Sequence, residues 1–122
     1  MRDIIFRGKL VHTTGTLTWV QGLLTKNVSG EWCIMTEGSP MLYQVDPSTV
    51  CQYTGLKDRY GNLIFEKDII QWEPCCIPRY VDFYEGEFYI FNEHGEPVDD
   101  LSRLHDLYGV IGNIYDNPSL FG

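Results

Sequence analysis

The apolar positions of this chain come in short runs. Before residue 46 the segments IIF, LTWV, LL, EWCIM and MLYQV are punctuated by Gly15, Gly22, Gly30, Gly38 and Pro40. That spacing suits an amino-terminal β-meander over residues 1–50 and fits helical periodicity poorly. Asp46 before Pro47 starts a single turn of helix, since the carboxylate can cap open amides and proline presets φ. QYTGL then resumes a strand. The clearest hairpin is YVDFYEGEFYIF, where Glu85-Gly86 separates two aromatic runs and Tyr80, Asp82 and Tyr84 alternate with Val81 and Phe83. In DDLSRLHDLY, Leu101, Leu104 and Leu107 recur every three residues, which predicts a helix of one to three turns begun by Asp99 or Asp100. A last strand, GVIGNIYD, ends at Asn117-Pro118.

The run TGLKDRYGNLIFEKDII, residues 54–70, concentrates polar turn formers between apolar segments. Gly61 can take the positive φ that reverses the chain, and Asp68 can cap a second turn ahead of the strand IIQW. An acidic turn immediately before an aliphatic strand is how small SH3-like barrels often enter their first long strand, an association with a fold rather than with a reaction. Residues 52–117 are therefore expected to form an SH3-like barrel of about five strands with one short helix before the last. The stretch is architecture, not an enzyme pocket.

At 122 residues the chain fits one domain, and its 43% apolar and 21% charged content places it among globular rather than disordered proteins. No repeat, low-complexity tract or linker divides it. MRDIIFRGKL lacks the long apolar run of a signal peptide, and no window reaches the roughly 20 apolar residues of a membrane helix. A cytoplasmic protein without membrane contact is the expectation. Cys33, Cys51, Cys75 and Cys76 show no metal-ligand spacing, so all four are expected as reduced thiols, without zinc or disulfides.

Charge is uneven. Residues 1–61 carry six bases (Arg2, Arg7, Lys9, Lys26, Lys57, Arg59) against five acids (Asp3, Glu31, Glu37, Asp46, Asp58), net +1; residues 62–122 carry three bases (Lys67, Arg79, Arg103) against twelve acids, net −9. Such a surface removes the electrostatic drive for direct nucleic-acid binding. It suits a soluble face, or docking onto a basic protein partner. The candidate partner-binding residues are Asp82, Glu85, Glu87, Glu93, Glu96, Asp99 and Asp100, on hairpin tips and loops.

RDIIFRGK, Trp19-Val20-Gln21-Gly22, VDPSTVCQYTGLKDRYGNLIFEKDII and VIGNIYDNPSLF, in that order and spacing, resemble the YopX family of phage and prophage proteins. The resemblance spans nearly the whole chain. Cys51 and Lys67 stand where that family usually has glycine, which bears on two turns. The resemblance implies one mainly β domain over 1–122 with an SH3-like barrel in its carboxyl half, in a bacterial host carrying phage or prophage. It implies no catalytic residues.

Reactive chemistry is thin. His12, His94 and His105 are far apart, and none lies in a motif for an activated nucleophile. His94 belongs to an exposed turn and His105 to a solvent-facing helix position. Asp99-Asp100 reads as a helix start rather than a catalytic pair. Asp58, Asn62, Glu66 and Asp68 lack calcium-loop spacing. The glycines of Gly109-Val110-Ile111-Gly112 lie in a strand pattern, where they mark a bulge or a close backbone approach. Trp19, Trp32 and Trp72 are expected in the core. These residues favour a non-enzymatic interaction module with no cofactor and no metal. The alternatives are an enzyme whose site sequence spacing does not connect, or an oligomeric structural component such as a homo-oligomer.

Overall fold

The computed structural model describes residues 4–15, 17–72 and 75–121. The chain is mainly β and divides into two compact units, Met1–Tyr53 and Thr54–Gly122.

In the first unit, β1 (Phe6–Thr14), β2 (Leu17–Lys26), β3 (Trp32–Met35) and β4 (Leu42–Gln44) run as an antiparallel meander, each paired to its predecessor. The chain after β4 returns to β1 through the bridge Leu10↔Val45. A 3-10 turn, Pro47–Thr49, follows, with Asp46 accepting from the Ser48 amide. The strand β5 (Cys51–Lys57) then pairs its first residues with Phe6 and Arg7 of β1. Leu10, Val20, Ile34 and Val45 form the core of this unit. Gly8 is needed against it, because a Cβ there would lie 2.9 Å from Cβ of Val45.

The second unit holds the end of β5, β6 (Leu63–Phe65), β7 (Asp68–Trp72), β8 (Cys75–Tyr84), β9 (Glu87–Phe91), β10 (Pro97–Asp100), the helical turn α1 (Leu101–Leu104) and β11 (Gly109–Asn113). Five strands form one antiparallel sheet in the order β10-β9-β8-β7-β11. It is open, which corrects the expected closed SH3-like barrel over 52–117. Among the described residues β10 bonds only to β9 and β11 only to β7. The physical reason lies in the edges: β10 has four residues, starts with Pro97 and is bulged between Pro97 and Asp99, features that blunt an edge rather than extend it. The inner face is sealed instead by side chains laid over it. Ile70, Val81, Phe88 and Ile90 pack with Ile64, Leu101 and Tyr108, flanked by Leu56 and Leu104. Ile64, Ile70, Val81, Ile90 and Leu101 are fully buried, each burial worth about 1.5–3 kcal/mol.

The helix is where the sequence puts it, before the last strand, with Asp100 as its cap accepting from the Ser102 amide at 3.0 Å. Gly109 and Gly112 sit at close approaches in β11: a Cβ would meet the Tyr60 ring at 2.7 Å and Asn117 Oδ1 at 2.4 Å.

One turn is built three times, although the sequence has no repeat of whole elements. Asn27–Glu31, Asp58–Asn62 and Asn92–Glu96 share a hydrogen-bond pattern. The first residue's amide donates to the fifth residue's carbonyl (3.0, 2.8 and 3.0 Å), and the fourth residue, always glycine, donates back to the first carbonyl (2.9, 3.1 and 3.1 Å). The first side chain accepts from the third and fifth amides through Oδ1. Gly30, Gly61 and Gly95 have φ of 83°, 84° and 78°, the left-handed region in which a Cβ is penalised. TGLKDRYGNL contains one copy.

Candidate functional site

The β8–β9 hairpin decides where the acids go. Glu85 and Gly86 form a two-residue turn with φ of 47° and 85°, and the register that follows pairs Tyr80↔Phe91, Val81↔Ile90, Asp82↔Tyr89, Phe83↔Phe88 and Tyr84↔Glu87. Directly opposed residues share a face. Val81, Phe88 and Ile90 therefore face the core, while Tyr80, Asp82, Tyr84, Glu87, Tyr89 and Phe91 line the outer face.

Beside it β10 places Asp100 opposite Tyr89 and Pro97 opposite Phe91. The outer face is an aromatic layer: Tyr80 stacks on Phe91 at 5.3 Å, and Tyr84 meets Tyr89 edge-on at 5.8 Å and Phe91 at 6.1 Å. Phe121 closes the other end against Tyr80 at 5.8 Å. Carboxylates surround the exposed end. Tyr89 shows their combined field: desolvation and then the charges of Glu87, Asp100 and Glu85 push its phenol above the ordinary 10.0.

Of the seven acids expected to meet a partner, this face gathers four: Asp82, Glu85, Glu87 and Asp100. Asp82 forms an ion pair with Lys67 and accepts from the Phe83 amide at 2.8 Å. Asp100 is occupied in part by Ser102, whose Oγ donates to it at 2.9 Å. Glu85 and Glu87 are exposed. The other three stand apart. Glu93 and Glu96 belong to the Asn92–Glu96 turn, where Glu96 accepts from Asn92 Nδ2 at 3.0 Å and Glu93 lies 3.4 Å from His94. Asp99, opposite Ile90 rather than Tyr89, reaches Arg103 at 3.9 Å.

The remaining candidate groups are dispersed. His94 is exposed as expected, whereas Nδ1 of His105 is tied to the Lys57 carbonyl at 2.6 Å. Asp58 is buried and accepts from the amides of Tyr60, Asn62 and Val110 and from the Asn62 side chain. Desolvation alone would raise its pKa, but those four hydrogen bonds outweigh it and hold the group below 3.8. Among the described residues no three His, Cys, Asp or Glu side chains converge as metal ligands. Cys33 and Cys51 are buried thiols, donating to the carbonyls of Glu31 and Thr49. The side chains of Cys75 and Cys76 lie outside the described residues.

The tryptophans are not core residues. Trp32 and Trp72 are partly exposed; Lys26 covers Trp32 at 4.6 Å and Arg7 covers Trp19 at 5.0 Å, so cations shield faces that burial was expected to shield. The first unit has a half-open groove of about 530 Å³ lined by Ile4, Ile5, Gln21, Leu23, Met35 and Glu37 among others. Glu37 is its one ionisable lining group among the described residues, and acid–base chemistry needs a partner group.

A family model for YopX protein matches residues 12–122. The chain belongs to the YopX family. No curated relative matches the sequence. Of the two positions where the resemblance led one to expect glycine, Lys67 takes φ 68°, the conformation a glycine would adopt at no cost. Cys51 lies in the regular pairing of β5 with Arg7. Among the described residues of this YopX chain, no helix is long and apolar enough to cross a membrane. The aromatic outer face was legible in part, since Tyr80, Asp82 and Tyr84 alternate in the sequence. Its continuation through Tyr89, Phe91 and Asp100 depends on the register and needed the structure.

Proposed function

We propose that this YopX protein is a non-enzymatic interaction module of phage or prophage origin, working in the cytoplasm of a bacterial host. It engages a basic protein partner through the acidic carboxyl-terminal half. One observation carries this reading: Asp82, Glu85, Glu87 and Asp100 gather at the aromatic outer face of β8, β9 and β10, and of these Asp82 is paired with Lys67. Aromatic rings supply contact area at low entropic cost, and uncompensated carboxylates select a cationic partner. Glu93, Glu96 and Asp99 stand apart from this face and add charge of the same sign to the carboxyl-terminal half.

The test is a capture experiment from infected or lysogenic cells with the parent protein and a variant carrying Glu→Gln or Asp→Asn at all seven positions. A protein retained by the parent and depleted by the neutralised chain is the expected result. Equal recovery of the same proteins by both chains would remove the acidic half from the function.

A further inference from the structure

We propose that the Tyr84–Tyr89 corner of the outer face binds an arginine side chain of a partner protein. The guanidinium lies against the two rings, with Glu85, Glu87 and Asp100 as its counter-charges. This deepens the partner reading above and rests on it.

Elsewhere the chain lays its own cations over three of its rings. Arg7 lies over Trp19 at 5.0 Å, Lys26 over Trp32 at 4.6 Å and Arg59 over Tyr60 at 5.2 Å. Among the described residues no base covers Tyr84 or Tyr89, although Tyr84 is 43% exposed. Its ring stands at 78° to that of Tyr89, so the two form a corner with one face and one edge. Lys67 is committed to Asp82, which stands opposite Tyr89. The carboxylates here raise the phenol pKa of Tyr89, after desolvation, through the charges of Glu87, Asp100 and Glu85. The same potential attracts a cation.

Arginine fits better than lysine. Its planar, weakly hydrated guanidinium stacks on a ring and offers a fork to a carboxylate, whereas an ammonium supplies a compact, strongly hydrated charge. A nucleic acid is the wrong partner for this charge.

The probes are two peptides of equal length and charge, one alternating arginine with glycine and the other lysine with glycine, each titrated at low salt against the full-length protein. The arginine peptide should bind about 5-fold tighter, the size expected of stacking at exposed rings. Replacing both tyrosines by leucine should abolish that preference, while replacing both by phenylalanine, which keeps the rings, should retain it. Circular dichroism and the unfolding midpoint establish that each variant folds. Equal binding of the two peptides, or a preference that survives the leucine change, overturns the arginine corner while leaving the acidic-surface reading standing. Failure of both peptides to bind also overturns it. The acidic-surface reading is judged separately, by whether the neutralised chain loses its captured partner.

Discussion

Asp58 shows how little the chemistry of a side chain follows from its type. An acid inside a turn-forming run invites a functional reading, yet the structure buries it under four hydrogen bonds, one of them from Val110 on β11. Replacing Asp58 by alanine leaves three backbone amides without their acceptor and should cost about 3 kcal/mol in urea unfolding at neutral pH. The pH dependence has a definite sign. The folded pKa lies below the unfolded 3.8, so the stabilisation is full above that value and is lost as pH falls through the folded pKa. The gap in stability between the parent and Asp58→Asn should therefore narrow between about pH 5 and pH 2. A constant gap would mean that the charge of Asp58 contributes nothing. His105 and the tryptophans carry the complementary lesson, because their surroundings are set by pairing and packing rather than by their own segments: Lys57 for the histidine, Arg7 from the neighbouring strand for Trp19, and Lys26 across the β2–β3 hairpin for Trp32.

Turns and hairpins were the most legible elements. The Asp46 and Asp100 caps, the Glu85-Gly86 hairpin and the Gly61 turn all follow from local chemistry, and the structure places each as the residues predict. The threefold use of one turn was readable too, as NVSGE, DRYGN and NEHGE, once the aspartate and the asparagines are recognised as equivalent acceptors. Barrel closure was not readable. Whether β10 and β11 meet depends on strand length and on a bulge, and the leucines that seal the inner face would read alike under a barrel or an open sheet. Glu85 pays for its place in the hairpin with a left-handed φ of 47°, which asparagine tolerates better. Glu85→Asn should therefore raise stability by about 0.5 kcal/mol, seen as a higher denaturant midpoint with unchanged slope. Glu85→Ala keeps the steric cost and should not stabilise; if alanine stabilised as much as asparagine, removal of charge rather than relief of the backbone would be the cause.

Across the chain, the −9 charge of residues 62–122 was visible in the sequence, but its arrangement was not. Seven acids read as one surface resolve into four around the aromatic face, two in a turn and one directed to Arg103. Register, fixed by a two-residue turn, makes that selection. If these charges steer a partner to the outer face, as proposed, the association rate of the captured partner reads that steering. That rate should fall as salt is raised from about 50 to 300 mM, since the Debye length shrinks to below about 10 Å over that range. The seven-site neutralised variant should associate more slowly than the parent at low salt and approach it at high salt, with only a small fall in its unfolding midpoint, because Glu85, Glu87, Glu93 and Glu96 are exposed and Asp100→Asn keeps a capping acceptor. Association of the neutralised variant as fast as the parent at every salt concentration would rule out electrostatic steering and leave the acidic half as a solvated face.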